Sequence, residues 1–154
     1  MAVSSLAIAA VAALAIVLPG CGFNDQLTRR GFIQTGDVIC GQTILRSIFA
    51  ANHAAETGRR LTQAGRVRSL AQAYAAAAGR VRRLPVDDRD EAMRNRMAGA
   101  FAAESSRLAA ASRQSAGAGV TRAVLRAYAA FAADARAMQA YGFNICGGAA
   151  SQRT

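Results

Sequence analysis

Apolar positions recur at helical spacing along nearly the whole chain. An unbroken apolar run of thirteen residues, 6–18, comes first. Residues 21–36 then carry polar and glycine punctuation and read as a tether. Beyond it the pattern settles into steps of three and four, the signature of one-sided helices. The first stretch, 37–59, puts Cys40, Ile44, Ile48, Ala51 and Ala55 on one face. The second, 66–84, carries Val67, Leu70, Tyr74, Ala77, Ala78 and Val81, and stops at Leu84-Pro85, where proline cannot continue the hydrogen-bond ladder. The third, 87–115, opens on Asp87, Asp88, Asp90 and Glu91, acids suited to the positive end of a helix dipole. Its stripe is Met93, Met97, Ala100, Phe101, Leu108 and Ala111. The fourth, 120–142, has Val120, Val124, Tyr128, Phe131, Ala135 and Met138, with Gly142 in the position a helix C-cap favours. Four amphipathic helices with short connections predict an all-α, up-down-up-down four-helix bundle over 37–146, after an N-terminal signal or anchor helix and before a flexible tail, 147–154.

Composition strengthens the helical reading. The 154 residues are 53% hydrophobic, much of it alanine, and only 6% aromatic, with no tryptophan and two prolines. Alanine is the best helix former and loses no side-chain entropy on folding. No strand-like alternation of β-branched residues competes with it. The net charge is +10, and all 19 basic residues are arginine. GC-rich codons specify alanine, glycine and arginine alike, which accounts for the choice of arginine over lysine. The net charge still attracts anionic partners at long range.

Location chooses among those partners. Thirteen apolar residues suit the hydrophobic region of a secretory signal, whereas a membrane span needs about twenty. The run ends in Leu18-Pro19-Gly20-Cys21, which resembles a bacterial lipobox: an apolar residue, a variable one, a small one, then the cysteine that is lipidated. Residues 1–20 are therefore expected to be a lipoprotein-type signal peptide and Cys21 the lipidation site. Pro19 and the lack of Lys or Arg among the first five residues depart from the pattern. They leave an uncleaved anchor, plain secretion or a buried apolar helix as alternatives. Export removes nucleic acid as the explanation of the charge.

Three cysteines occur, Cys21, Cys40 and Cys146. With Cys21 lipidated, an even pair remains in an oxidising compartment, and a Cys40–Cys146 disulfide is expected. Two unrelated buried thiols are the alternative. In an up-down-up-down bundle the start of the first helix and the end of the fourth share a pole, so bridge and topology agree. Metal binding is not expected: neither cysteine has a second one two to four residues away, and there is a single histidine.

Phe32, Ile33, Asp37, Cys40, Leu84, Pro85, Tyr141, Gly142, Phe143, Cys146 and Gly147 form a spaced pattern across most of the mature chain. It runs Phe-Ile, an Asp with a Cys three residues on, a Leu-Pro break in mid-chain, and a closing Tyr-Gly-apolar-x-x-Cys-Gly. In this the chain resembles a loose group of small exported actinobacterial helical proteins, many known only as lipoproteins. The resemblance implies export, the two-cysteine bridge and a helical bundle. It implies no activity.

Sites of chemistry are few. His53 and Glu56 share a helical face, but a di-metal bundle needs such pairs from facing helices. Glu104 falls in the third apolar stripe, either as a buried carboxylate with a shifted pKa or paired to an arginine. Ser105, Ser106 and Ser112 have no base nearby in the pattern. Met93, Met97 and Met138 lie on core stripes. No catalytic residue or cofactor is expected, and the chain reads as a non-enzyme. Arg59, Arg60, Arg66, Arg68, Arg80, Arg82 and Arg83 place seven positive charges within 59–84 with no acid between them. Of these, Arg68, Arg80, Arg82 and Arg83 should project away from the apolar stripe as an anion-binding face or a merely solvated one. The expected protein is a lipid-anchored envelope module on the outer face of the cell membrane, engaging anionic lipid, polymer or an envelope protein. A small bundle carrying or sensing an apolar ligand is one alternative. A secreted or single-span helical protein without lipid is another.

Overall fold

In a computed structural model of the chain, which describes residues 26–56, 61–114 and 117–147 (backbone alone for 47, 48 and 50–56), four helices carry most of the described residues. They are α1 (Arg29–Glu56), α2 (Gln63–Arg82), α3 (Asp88–Ala111) and α4 (Ala118–Tyr141). Among the described residues there is no strand; Leu27 and Val86 form an isolated bridge, with the Leu27 amide donating to the Pro85 carbonyl at 2.6 Å. None of the described helices is long and apolar enough to cross a membrane.

Local chemistry sets the helix ends. The Thr62 hydroxyl accepts from the Gly65 amide at 3.1 Å and starts α2. Asp87 caps α3, whose first turn holds Asp88, Asp90 and Glu91. Gly142, at φ 121°, ends α4 in a conformation that side-chain-bearing residues rarely adopt; its amide donates to Met138 and Gln139. The first helix begins eight residues before the expected 37. There the Thr28 hydroxyl accepts from the Gly31 amide at 3.2 Å and serves as the cap. Residues 29–36, expected as tether, are therefore helical, and Gly147, expected in the tail, is buried.

Packing links α1 to α2, α2 to α3 and α3 to α4. An aromatic trio ties three of the helices together: Phe101 of α3 stacks on Phe131 of α4 at 5.9 Å, and Tyr74 of α2 meets both rings edge-on. Cross-helix polar contacts fix the register. Ser105 donates to the Ala71 carbonyl at 2.8 Å, Arg96 pairs with Asp134 at 3.1 Å, and Gln63 donates to Thr121 at 3.0 Å.

The contribution of α1 to the core differs from the expected stripe. Phe32, Ile39, Cys40 and Thr43 are buried, while Ile44 is largely exposed. Ile48, Ala51 and Ala55 lie where only backbone is described. The earlier start brings Phe32 and Gly36 into the interface and rotates the buried face toward Ile39. The stripes of α2, α3 and α4 are buried largely as their spacing predicts, with Leu70, Tyr74, Met93, Val124 and Tyr128 half-buried at the margins.

After Gly142 the chain folds back over α1. The Asp37 carboxylate accepts from the amides of Asn144 at 3.0 Å, Ile145 at 2.9 Å and Cys146 at 3.2 Å, capping the helical turn at 145–147. Phe143, fully buried, lies against Gly36 and meets Phe32 edge-on at 5.3 Å. Cys40 and Cys146 are joined by a disulfide, with their Cα atoms 5.4 Å apart across a separation of 106 residues.

Two outcomes follow. A disulfide closing a loop of roughly 100 residues contributes about 4–5 kcal/mol in the chain-entropy account. Non-reducing digestion should yield a peptide pair joining Cys40 to Cys146, and reduction should move the urea midpoint down sharply; superimposable curves would show that the bridge stabilises nothing. A Cβ on Gly36 would overlap the buried Phe143 ring. Gly36→Ala should then destabilise by about 1–3 kcal/mol, the cost of overpacking, despite alanine's better helix propensity. A rise in the melting temperature would contradict this packing.

Candidate functional site

The described chemistry gathers at three places: the closing pole around the disulfide, the interior of α3, and the exposed side of α2. Cys21, Arg59 and Arg60 lie outside the described residues, and the side chains of His53 and Glu56 are likewise not described.

At the closing pole, Tyr141 donates its hydroxyl proton to Oδ1 of Asp90, which is 1% exposed. Its other carboxylate oxygen is buried with no partner among the described residues. Arg29 lies over the Tyr141 ring at 4.3 Å and donates to the Tyr141 carbonyl at 3.4 Å. Burial first, and then the Asp90 carboxylate that takes its hydrogen bond, push the Tyr141 hydroxyl up to about 12. A phenol held this firmly protonated is a donor, so the pair locks the end of α4 to the start of α3.

Beside the disulfide a shallow recess opens between Cys40, Thr43, Tyr74, Phe101 and Phe131, with Ile44 and Ile145 at its margin. Its space is about 20 Å³. That admits a water molecule, whereas a ligand pocket spans roughly 300 Å³ or more. The recess therefore lends no support to an apolar-ligand carrier.

Glu104 is completely buried in α3, between Phe101 of one apolar cluster and Leu108 of the other along the helix. Oε2 lies 3.5 Å from the Arg107 guanidinium, and Oε1 has no partner among the described residues. Burial holds its carboxyl above the ordinary glutamate value, opposed by the hydrogen bond and charge of Arg107. Both readings of Glu104 meet here: the carboxylate is buried, and it pairs with Arg107, a long and half-exposed partner.

The four α2 arginines do not form one face. Arg68, Arg82 and Arg83 are exposed. Arg80 instead turns onto α1, donating to Gln42 Oε1 at 2.5 Å and to the Ile39 carbonyl at 3.4 Å. Its Nε is buried without a partner among the described residues, and burial, then the charge of Arg46, lower its pKa. This corrects the expected outward projection: α1 occupies that side of α2, and a long arginine reaches the Gln42 side chain and the Ile39 carbonyl, which also accepts from the Thr43 hydroxyl. The serine hydroxyls are absorbed by backbone, with Ser106 donating to Ala102 and Ser112 to Ala109. No group of three or more His, Cys, Asp and Glu side chains among the described residues is arranged to hold a metal ion.

Two residues act in roles that periodicity does not disclose: Asp37, expected to open the first helix, lies inside α1 and caps the returning turn at 145–147, and Thr28, ahead of Arg29-Arg30-Gly31, starts α1.

Glu104 generates a pH prediction. Because its folded-state pKa is raised, the folded protein binds this proton more tightly than the unfolded chain. Stability is therefore fully present below the ordinary value of 4.5 and declines as pH rises through the raised one. Glu104→Gln should flatten that decline and give a higher urea midpoint than wild type at neutral pH, with little gain at acidic pH. Parallel curves at all pH values would show that Glu104 keeps its charge at no cost.

Comparison with known proteins adds no assignment: no family model, curated protein or solved structure matches the chain.

Proposed function

We propose that the protein is an exported, lipid-anchored component of the bacterial cell envelope, held at the outer face of the membrane through Cys21 and acting by binding rather than by catalysis. The observation that carries this reading is the Cys40–Cys146 disulfide. A bridge that closes most of the domain belongs to an oxidising compartment, and it leaves Cys21, at the end of the lipobox-like Leu18-Pro19-Gly20-Cys21, as the odd cysteine. Export, not cytoplasmic residence, accounts for both. The resemblance to small exported actinobacterial lipoproteins points the same way.

In this reading the helices run up-down-up-down. The pairing of Asp90 with Tyr141 and of Arg96 with Asp134 supports opposite directions for α3 and α4. No catalytic group or cofactor enters the proposal. The exposed Arg68, Arg82 and Arg83 offer a basic surface to an anionic lipid, polymer or envelope protein. Arg80 is left out of that surface, since it holds α2 to α1.

The anchor is tested directly. Cys21→Ala should leave unprocessed precursor and abolish incorporation of radiolabelled palmitate, whereas wild type is labelled and processed. Equal labelling of the two proteins would refute the lipoprotein reading.

A further inference from the structure

The outer side of α1 is apolar where a surface helix ordinarily carries charge. Val38 is 54% exposed, Leu45 50% and Phe49 64%. Their spacing of seven and four residues sets them within about 40° of one another around the helix, over a length of about 17 Å. The opposite side of the same helix supplies Phe32, Ile39, Cys40 and Thr43 to the core. Thus α1 is apolar on two faces, and one of them has no partner among the described residues.

Charge and position indicate what covers it. Arg30 and Arg46 are exposed on α1. The acid closest to the stripe, Asp37, has both oxygens occupied by the amides of residues 144–146. A second copy would bring two chains of net charge +10 together, which opposes association, whereas an anionic surface is attracted by the same charge. Position agrees: α1 begins eight residues after Cys21, a distance that even a fully extended chain limits to about 29 Å.

We propose that the Val38–Leu45–Phe49 face of α1 lies in the headgroup–acyl boundary of an anionic lipid leaflet, as a second membrane contact beside the anchor at Cys21. The proposal rests on the lipoprotein reading for its orientation. Amphipathic helices with Phe and Leu on one face and Arg at its border bind in this way, sinking about 5–10 Å. A lipid chain combined with such a contact holds a protein more firmly than either alone. The arginines then add a salt-screened attraction within a Debye length of about 8–10 Å. The surface resting on lipid is thus α1, which leaves the exposed α2 arginines for other contacts.

The absence of tryptophan permits a clean test. Phe49→Trp and, as a second reporter, Leu45→Trp are made in the full chain, with Leu125→Trp as control; Leu125 is 60% exposed on α4. Each protein is purified from cell membranes after palmitate labelling and reconstituted in phosphatidylcholine–phosphatidylglycerol vesicles with brominated acyl chains. We expect quenching at positions 49 and 45 several-fold greater than at 125. Quenching no greater than at 125 would overturn the proposal, and chemical cross-linking would then show whether a second copy covers the face instead. Palmitate label without quenching keeps the anchor and rejects the α1 contact. Quenching without label supports the contact and rejects the anchor.

Discussion

The fold is held shut at one place, where residues 142–147 close over the first half of α1. Three interactions coincide there. The Cys40–Cys146 bridge joins the two segments covalently. Asp37 satisfies three successive amides of the returning chain, the donors that a helical turn leaves without an internal partner at its start. Phe143 fills the space that Gly36 leaves open. Each interaction needs the others: the cap orients the turn that carries Cys146, and the bridge keeps Phe143 pressed against α1. Because α1 packs chiefly on α2, this closure, together with Arg29 and Phe32 against Tyr141, ties it to the end of α4.

The rest of the interior follows from a scarcity of large side chains. Alanine at 71, 77, 78, 98, 100, 111, 127 and 135 is buried, so helices approach closely and little space remains between them. The volume is supplied by a few aromatics, with Tyr74, Phe101 and Phe131 at mid-height and Phe32, Tyr141 and Phe143 at the closing pole. Into this core the chain inserts two carboxylates. Asp90 is matched by a phenol that cannot readily ionise. Glu104 has only a distant, half-exposed arginine and is the less well compensated of the two. A buried carboxylate with an unpaired oxygen costs stability unless it takes up a proton, so Glu104 is the point of greatest electrostatic tension in the interior.

The surface divides by helix. Exposed arginines dominate the outer side of α2, whereas α1 presents aliphatic and aromatic side chains on its open side. Arg80 stands between them and serves the α1–α2 contact. Unlike surfaces thus lie side by side on neighbouring helices.

Much of this architecture was legible in the residues alone. Alanine-rich stripes at steps of three and four determined helices and their buried sides for α2, α3 and α4. Pro85 and Gly142 marked helix ends because one removes a backbone donor and the other tolerates positive φ. The cysteine pair could be matched by counting, once Cys21 was set aside. What the tertiary structure alone decided lies where periodicity is silent. The stripe of α1 could not be read because the helix is apolar on two sides, so spacing offers no contrast, and its start depended on Thr28 acting as a cap. Arg80 sits at a position that looks solvent-facing on an isolated helix, and only the placement of α1 against α2 converts it into an interhelical donor. Glu104 and Asp90 likewise occupy helical positions that say nothing of burial depth. Their state depends on what lies opposite, and partners tens of residues away in the chain meet only when the bundle has closed.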